Sequence, residues 1–394
     1  MFNSVLIFIS LLLSTKFMIF SAYEILPYTL LLSNLISFYI IIKNREEILR
    51  INGERKCALI LFFLALCVIN ISKLNYTVTI KDIIYPTDIH ILFSFLSICL
   101  LPKKTIVTSV KLYLNFIAII VVIGVVAYFL NMFHVISPSG IIRAPDHANQ
   151  SGYSSLYSLA YYPSWITLPF GFKRFTSIFW EPGTFGLYLI FLLCIEQVFI
   201  REKNELYQSK IRIVIFIVAG ILSFSVLFYV MLFVYLVISV NWMKRSNIIL
   251  LIISVIIFIV MYDKLYELIL YRFAYDPSRG FVGNNRSGAL SFYLTSIHNG
   301  HWINVLFGFS SNAIFGADST PIFIKIYQRG IIGFLFLFFG YLILAIKSKY
   351  IKYLIIMLLS FVILAQIEGA LSMLFFILAL LGHKYNKIHN KGMG

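Results

Sequence analysis

Apolar runs long enough to cross a bilayer recur down almost the whole chain, separated by short basic loops, and that pattern constrains the fold more than any motif. A spanning helix needs about 17–25 predominantly apolar residues. Such runs, some of them slightly shorter, lie near 3–20, 24–42, 57–72, 84–101, 110–132, 180–200, 211–226, 227–243, 247–262, 321–346, 351–366 and 369–382, which predicts twelve membrane helices. Composition agrees: 60% of the 394 residues are hydrophobic and only 12% are charged, where a soluble domain carries about 25%. So little polar surface excludes a disordered, coiled-coil, disulfide-framework or soluble nucleic-acid-binding protein. The expected fold is an all-α polytopic integral membrane protein, with 1–394 forming a single membrane domain.

The stretch Ile211–Met243 is ambiguous: its 33 residues are long for one pass and short for two. Charge decides it. With two passes, Lys43–Lys56, Lys103–Lys111, Arg201–Arg212, Lys244–Arg245, Lys347–Lys352 and the tail from Lys384 share one side and hold 20 basic residues, against 11 on the other. Lysine and arginine favour cytoplasmic loops, so both termini are expected in the cytoplasm. The same bias explains a net charge of +16 without invoking nucleic acid. Cys57, Cys67, Cys99 and Cys194 all lie in apolar runs without CxxC spacing, so no disulfide or metal role is expected. The run Phe2–Phe20 lacks a basic n-region and a small-residue cleavage site and is read as a retained helix.

Two segments on the outer side, 133–179 and 262–320, are too long to be mere connectors. The second interleaves apolar and polar residues over Asn285–Phe307, the spacing of an interfacial amphipathic helix. The long loops hold Arg143, Arg174, Arg272, Arg279 and Arg286. Guanidinium forks suit phosphate oxygens, while lipid headgroups or pairing with Asp146, Asp276 and Asp318 would equally account for them. Pro182–Gly183 forms a turn before an apolar helix, and Glu181 either caps that helix or presents a carboxylate beside Arg174. His298 and His301 would share one helix face, as interfacial residues or as part of a site. Tyr153, Tyr157, Tyr161, Tyr162 and Trp165 read as an interfacial belt or as a surface for sugars. No P-loop, GxGxxG, GxSxG, HExxH or loop DxD pair occurs, so no metal, nucleotide or other cofactor is expected.

The run R-F-T-S-I-F-W-E-P-G-T-F-G from Arg174, and R-S-G-A-L-S-F-Y-L-T-S-I-H-N-G-H-W-I-N-V-L-F-G-F-S from Arg286 with I-Y-Q-R-G-I-I-G-F beyond it, resemble motifs of the O-antigen and capsular polysaccharide polymerases. These Wzy-type enzymes are relatives of the O-antigen ligases. The resemblance implies a fold similar to the C-superfamily membrane glycosyltransferases, in a bacterial cytoplasmic membrane. The activity implied is metal-independent polymerisation of undecaprenyl-pyrophosphate-linked glycans at the outer face. Membrane lipids, a chain-length regulator and a flippase are the implied partners. In that family an arginine precedes the E-P-G turn, matching Arg174 and Glu181, and another opens the interfacial helix of the second loop, matching Arg286. These three are the expected catalytic residues, and Arg143, Arg272, Arg279, His298, His301 and Asp318 are expected to bind substrate. The ligases carry a histidine where this chain reads Gly316-Ala317-Asp318-Ser319-Thr320, which favours the polymerase branch. A transporter of the same lipid-linked unit is the rival from another class. Few charges at mid-membrane and no evident repeat count against it.

Overall fold

The computed structural model describes residues 1–23, 25–72, 87–142, 152–164, 172–179, 181–202, 209–239, 275–276, 280–281, 294–309, 321–364 and 369–383. Helices dominate, because backbone polar groups in hydrocarbon must be satisfied within the segment. They are α1 (Phe2–Leu13), α2 (Met18–Ala22), α3 (Leu26–Lys43), α4 (Gly53–Ser72), α5 (Thr87–Cys99), α6 (Lys103–Met132), α7 (Pro182–Arg201), α8 (Lys210–Leu222), α9 (Val226–Ser239), α10 (Trp302–Phe307), α11 (Pro321–Ile346), α12 (Ile351–Leu364) and α13 (Ala370–Gly382). Among the described residues, four helical segments, Leu26–Lys43, Lys103–Met132, Pro182–Arg201 and Lys325–Ile346, are long and apolar enough to cross a membrane, and five further apolar helices are shorter. Length and composition thus make this a membrane-embedded, mainly helical chain. The four cysteines are free thiols.

One end of the bundle is level and laced by charge. Glu202, just past α7, meets Lys349 at 2.6 Å and Lys103 at 3.9 Å, and accepts a hydrogen bond from Tyr350. Glu54 meets Lys347 at 3.4 Å and His383 at 3.5 Å. These contacts gather the ends of α4, α6, α7, α11, α12 and α13.

The opposite end is recessed. Helices α1, α8, α12 and α13 have 12 to 14 residues, about 18–21 Å at 1.5 Å per residue, against a hydrocarbon thickness of about 30 Å. Each is anchored near the Glu202 end: Lys43 lies 5.4 Å from the Phe2 ring, Ser209 donates its amide to Glu196, and Tyr350 and His383 flank α12 and α13. All four therefore stop short at the far end, while the 30-residue α6 continues past them.

A three-stranded antiparallel sheet lies over the recess: β1 (Gly140–Ile142), β2 (Tyr153–Leu156) and β3 (Ala160–Pro163). It lies in the long loop 133–179, where the sequence pattern points to no strand. Its second and third strands are buried on both faces. Leu156, Ala160 and Tyr162 join the helical core, while Tyr153 and Tyr161 pack with Met18. A strand buried on both sides loses the polar alternation by which strands are read.

Three predicted helices are interrupted. The run 3–20 breaks after Leu13, where Ser14 and Thr15 hydroxyls bond back to Ser10 and Leu11 carbonyls and Met18 donates its amide to Ile178. Of the interfacial helix expected over 285–307, residues 294–298 are helical and α10 follows, separated at Gly300 with φ 78°. Its stretch 285–293 lies outside the described residues. Helix α11 kinks at Gly330 (φ 70°), where a β-carbon would stand 2.2 Å from the Leu306 carbonyl oxygen. Phe309 stacks on Tyr327 at 4.2 Å and fixes α10 against that kink.

The stretch from Ile211 is two helices, α8 and α9, joined at Ser223–Ser225 with Phe224 at φ 45°. Leu222 accepts a hydrogen bond from Phe175 at the recessed end, and Tyr235 reaches Gln197 near the other. Short β4 (Tyr275–Asp276) and β5 (Gly280–Phe281) pair within 262–320, most of which is undescribed, as is 240–274 with the predicted span 247–262.

Candidate functional site

Residues 172–179 form a strap across the recess, pinned along its length. The Lys173 carbonyl accepts from the Tyr128 hydroxyl at 2.6 Å, and the Phe175 amide donates to Leu222. Thr176 and Ser177 exchange backbone hydrogen bonds with Tyr161, which adds them to the edge of β3. Ile178 accepts from Met18, and Phe179 bridges Phe17. Ser177 holds φ 50°, a conformation costly for a side chain with a β-carbon. The aromatic run F-T-S-I-F packs inward: Phe175 lies 5.6 Å from Phe185, and Phe179 lies 4.9 Å from Tyr188.

The strap delivers the chain to Glu181, the N-cap of α7, with Pro182 opening the helix. Glu181 has extended dihedrals, φ −137° and ψ 150°, and its side chain makes no cap hydrogen bond. Glu181 is thus the N-cap by position, at the helix N-terminus, without a side-chain hydrogen bond to the first turn.

Tyr153 on β2 lies within electrostatic reach of both predicted residues. Burial pushes its phenol above the ordinary range, the Glu181 carboxylate pushes it further, and the Arg174 guanidinium opposes both. Arg174 is also within electrostatic reach of Tyr229 on α9. A cation and a carboxylate thus lie within electrostatic reach of a phenol that stays protonated near neutral pH. The arginine can hold phosphate oxygens, the carboxylate can accept a hydroxyl proton, and the phenol can donate a hydrogen bond.

Other predicted residues are not gathered here. His298 and His301 are exposed and lie on opposite sides of the break at Gly300, so they do not share a helix face as expected. Their segment packs on α4 and α11. Arg143, Arg272, Arg279, Arg286 and Asp318 lie outside the described residues, as do Asp146 and Trp165. Among the described residues there is no group of three or more His, Cys, Asp or Glu side chains placed to hold a metal ion.

Sequence reasoning missed a second polar cluster. Glu196 on α7 is fully buried and accepts a hydrogen bond from Arg212, which also donates to Asn115 at 2.6 Å. The signal was an acidic residue inside an apolar run, a functional candidate by default. Arg212, counted as a loop charge, is buried with it. His90 on α5 is buried and meets Asn34 at 2.8 Å. Arg329 is buried beside the Gly330 kink.

Comparison of the chain with protein-family models, curated proteins and solved structures finds no match, so the site is read from its own residues.

Proposed function

We propose that the chain polymerises polyprenyl-pyrophosphate-linked oligosaccharide repeat units into surface polysaccharide at the outer face of a bacterial cytoplasmic membrane. In this reading the chain crosses the membrane twelve times, with both termini and the Glu202 end in the cytoplasm and the recessed end outside. The observation that carries the reading is that Arg174 and Glu181 both lie within electrostatic reach of buried Tyr153 at that end. Arg174 holds the pyrophosphate and stabilises the charge that develops as the anomeric bond breaks, the role of a preorganised cation at a leaving group. Glu181 takes the proton from the attacking sugar hydroxyl, and Tyr153 donates a hydrogen bond to a substrate oxygen. Arg286 shares the pyrophosphate. Arg143, Arg272, Arg279, His298, His301 and Asp318 contact the two glycans. Within the same assembly, a flippase supplies the lipid-linked unit and a chain-length regulator limits the product.

One observation favours a transporter instead. The break after Leu13 meets the start of α13, with the Ala370 amide donating to the Ser14 carbonyl, and an interrupted helix at depth is how carriers form their sites. A deletion strain separates the readings when its surface glycan is run on a gel. Loss of the ladder down to one repeat unit is the expected result. Finished polymer retained on the lipid carrier means a ligase, absence of all surface glycan means a flippase, and an unchanged ladder overturns the proposal.

A further inference from the structure

An apolar groove of about 490 Å³ opens on the flank of the bundle between α1 and α6, below the sheet. Ile9 and Leu13 form one wall, Phe116 and Ile123 the other, and Leu159 and Tyr161 of the β2–β3 hairpin close the top. Ile9, Ile123 and Leu159 are also exposed on the outer surface of the protein, so the groove is continuous with the face that meets lipid. Its volume falls in the range of ordinary ligand sites.

The hairpin tip is built for an apolar setting. It descends to Gly124, where a β-carbon would lie 2.9 Å from the Leu159 carbonyl oxygen. Gly124 is eight residues before the end of α6, about 12 Å along its axis. A turn at that depth needs its amides satisfied without water, and all three are: Tyr157 by the Ser139 hydroxyl at 3.0 Å, Ser158 by the Ser155 hydroxyl at 3.1 Å, and Leu159 by the Leu156 carbonyl at 2.9 Å. Tyr157 and Ser158 hold positive φ to achieve this.

The groove also adjoins the charged site. Tyr161 pairs with Ser155 in the register, which puts it diagonal to Tyr153 on the same sheet face, and the two rings share a buried cluster with Met18. A molecule spanning both places has a hydrocarbon chain in the groove and an anionic, hydroxyl-bearing head at Arg174 and Glu181. We propose that the α1–α6 groove holds the isoprenoid chain of a lipid-linked glycan whose pyrophosphate lies at Arg174. The inference rests on the polymerase reading for the identity of the lipid, and the geometry of groove and strap supplies the place. A bulk phospholipid is the competing occupant.

The test uses the full chain in nanodiscs with two photoactivatable probes: a polyprenyl phosphate with a diazirine in its chain, and a phosphatidylglycerol with a diazirine in one acyl chain. The polyprenyl probe should crosslink to peptides covering 116–123 and 158–161. Unlabelled polyprenyl phosphate should compete at least fivefold better than phosphatidylglycerol, and Ile123→Trp should cut the labelling at least fivefold without lowering protein yield. Equal labelling by the phospholipid probe, or none by the polyprenyl probe, overturns the proposal. The readout needs no glycosyl transfer. Groove labelling with an unchanged polysaccharide ladder in the deletion strain leaves the chain site standing and removes the polymerase. A lost ladder without groove labelling does the reverse.

Discussion

At the Glu202 end, carboxylates and cations meet in pairs that join one helix to another: Glu202 with Lys349 and Lys103, Glu54 with Lys347, and deeper in the bundle Glu196 with Arg212. At the Arg174 end, an arginine on the irregular strap and the Glu181 carboxylate instead act on a buried tyrosine of β2. The backbone differs in the same sense. All five residues other than glycine with positive φ among the described residues, His134, Tyr157, Ser158, Ser177 and Phe224, lie at the recessed end. Strain of about 1–3 kcal/mol at each such residue persists only where surrounding packing enforces it, and it concentrates at functional sites. One end is thus organised to hold helices together. The other spends stability on a particular surface, and this is the physical reason for placing the chemistry there.

The sharpest way to break the comparison is to ask which end faces out. In a chain whose four cysteines are replaced by alanine, cysteine at exposed Ser137 should react with a membrane-impermeant maleimide in intact spheroplasts. Cysteine at exposed Asn52 should react only after lysis. Reversal of this all-or-none pattern would put the Arg174 site in the cytoplasm and end the proposed chemistry.

The next largest effect belongs to the buried ion pair. Glu196 is fully buried and its partner nearly so, and removing one member of such a pair costs about 3–5 kcal/mol. Arg212→Met should therefore lower the thermal midpoint in detergent markedly. The double variant Glu196→Leu with Arg212→Met should recover much of the loss, since no uncompensated charge remains. A double variant as unstable as the single one would show that Asn115 and Ser209, rather than charge neutralisation, hold α8 in place.

Arg174 tests the opposite property, activity without stability. A hydrogen bond to a charged group is worth about 1.5–3 kcal/mol, and each 1.36 kcal/mol of barrier is about tenfold in rate. Arg174→Ala should lower polymerisation at least tenfold at equal protein level and thermal midpoint. Arg174→Lys should recover part, because the ammonium keeps the charge and loses the planar fork. Wild-type chain lengths from Arg174→Ala would return this arginine to the headgroup alternative.

Much of this contrast was legible beforehand, and the exceptions have causes. Helices α3, α7, α12 and α13 fall within a few residues of their apolar runs, because hydrocarbon leaves the backbone few alternatives to helix. The doublet R-F-T-S-I-F-W-E-P-G pointed to Arg174 and Glu181, since a Pro–Gly turn at a helix start is a local signal. The sheet was hidden, because Y-S-S-L and A-Y-Y-P are buried on both faces and carry no period. Nor could spacing show that Tyr153 joins that pair, or that Glu196 meets Arg212 across the connection between α7 and α8. Both depend on how the chain returns through space. The kinks at Gly300 and Gly330 likewise follow from the docking of α10 on α11, a contact between distant segments.

The smallest effect is expected at the Glu202 cluster. Burial works against the charge of Glu202, but hydrogen bonds from Lys349 and Tyr350 and the charges of Lys349 and Lys103 outweigh it and hold the carboxyl below its ordinary value. A depressed carboxyl contributes stability that is present above its unfolded value and lost as pH falls through the folded one. His383 adds to the same trend. Burial and the Arg55 charge favour its neutral form despite Glu54, so its contribution also disappears on acidification, beginning near the ordinary histidine range. The Lys349 and Glu202 side chains are 40% and 32% exposed, and pairs this accessible are worth about 0–1 kcal/mol. Lys349→Ala should therefore shift the thermal midpoint at pH 7 only slightly. It should move the acid limb of a stability–pH curve upward by raising the Glu202 carboxyl, and leave polymer length unchanged. If Lys349→Ala instead shortened the polymer as strongly as Arg174→Ala, with stability intact, the two ends would be coupled in the reaction. The charge lacing of the level end would then have to be treated as part of the catalytic cycle, in place of the structural role assigned to it here.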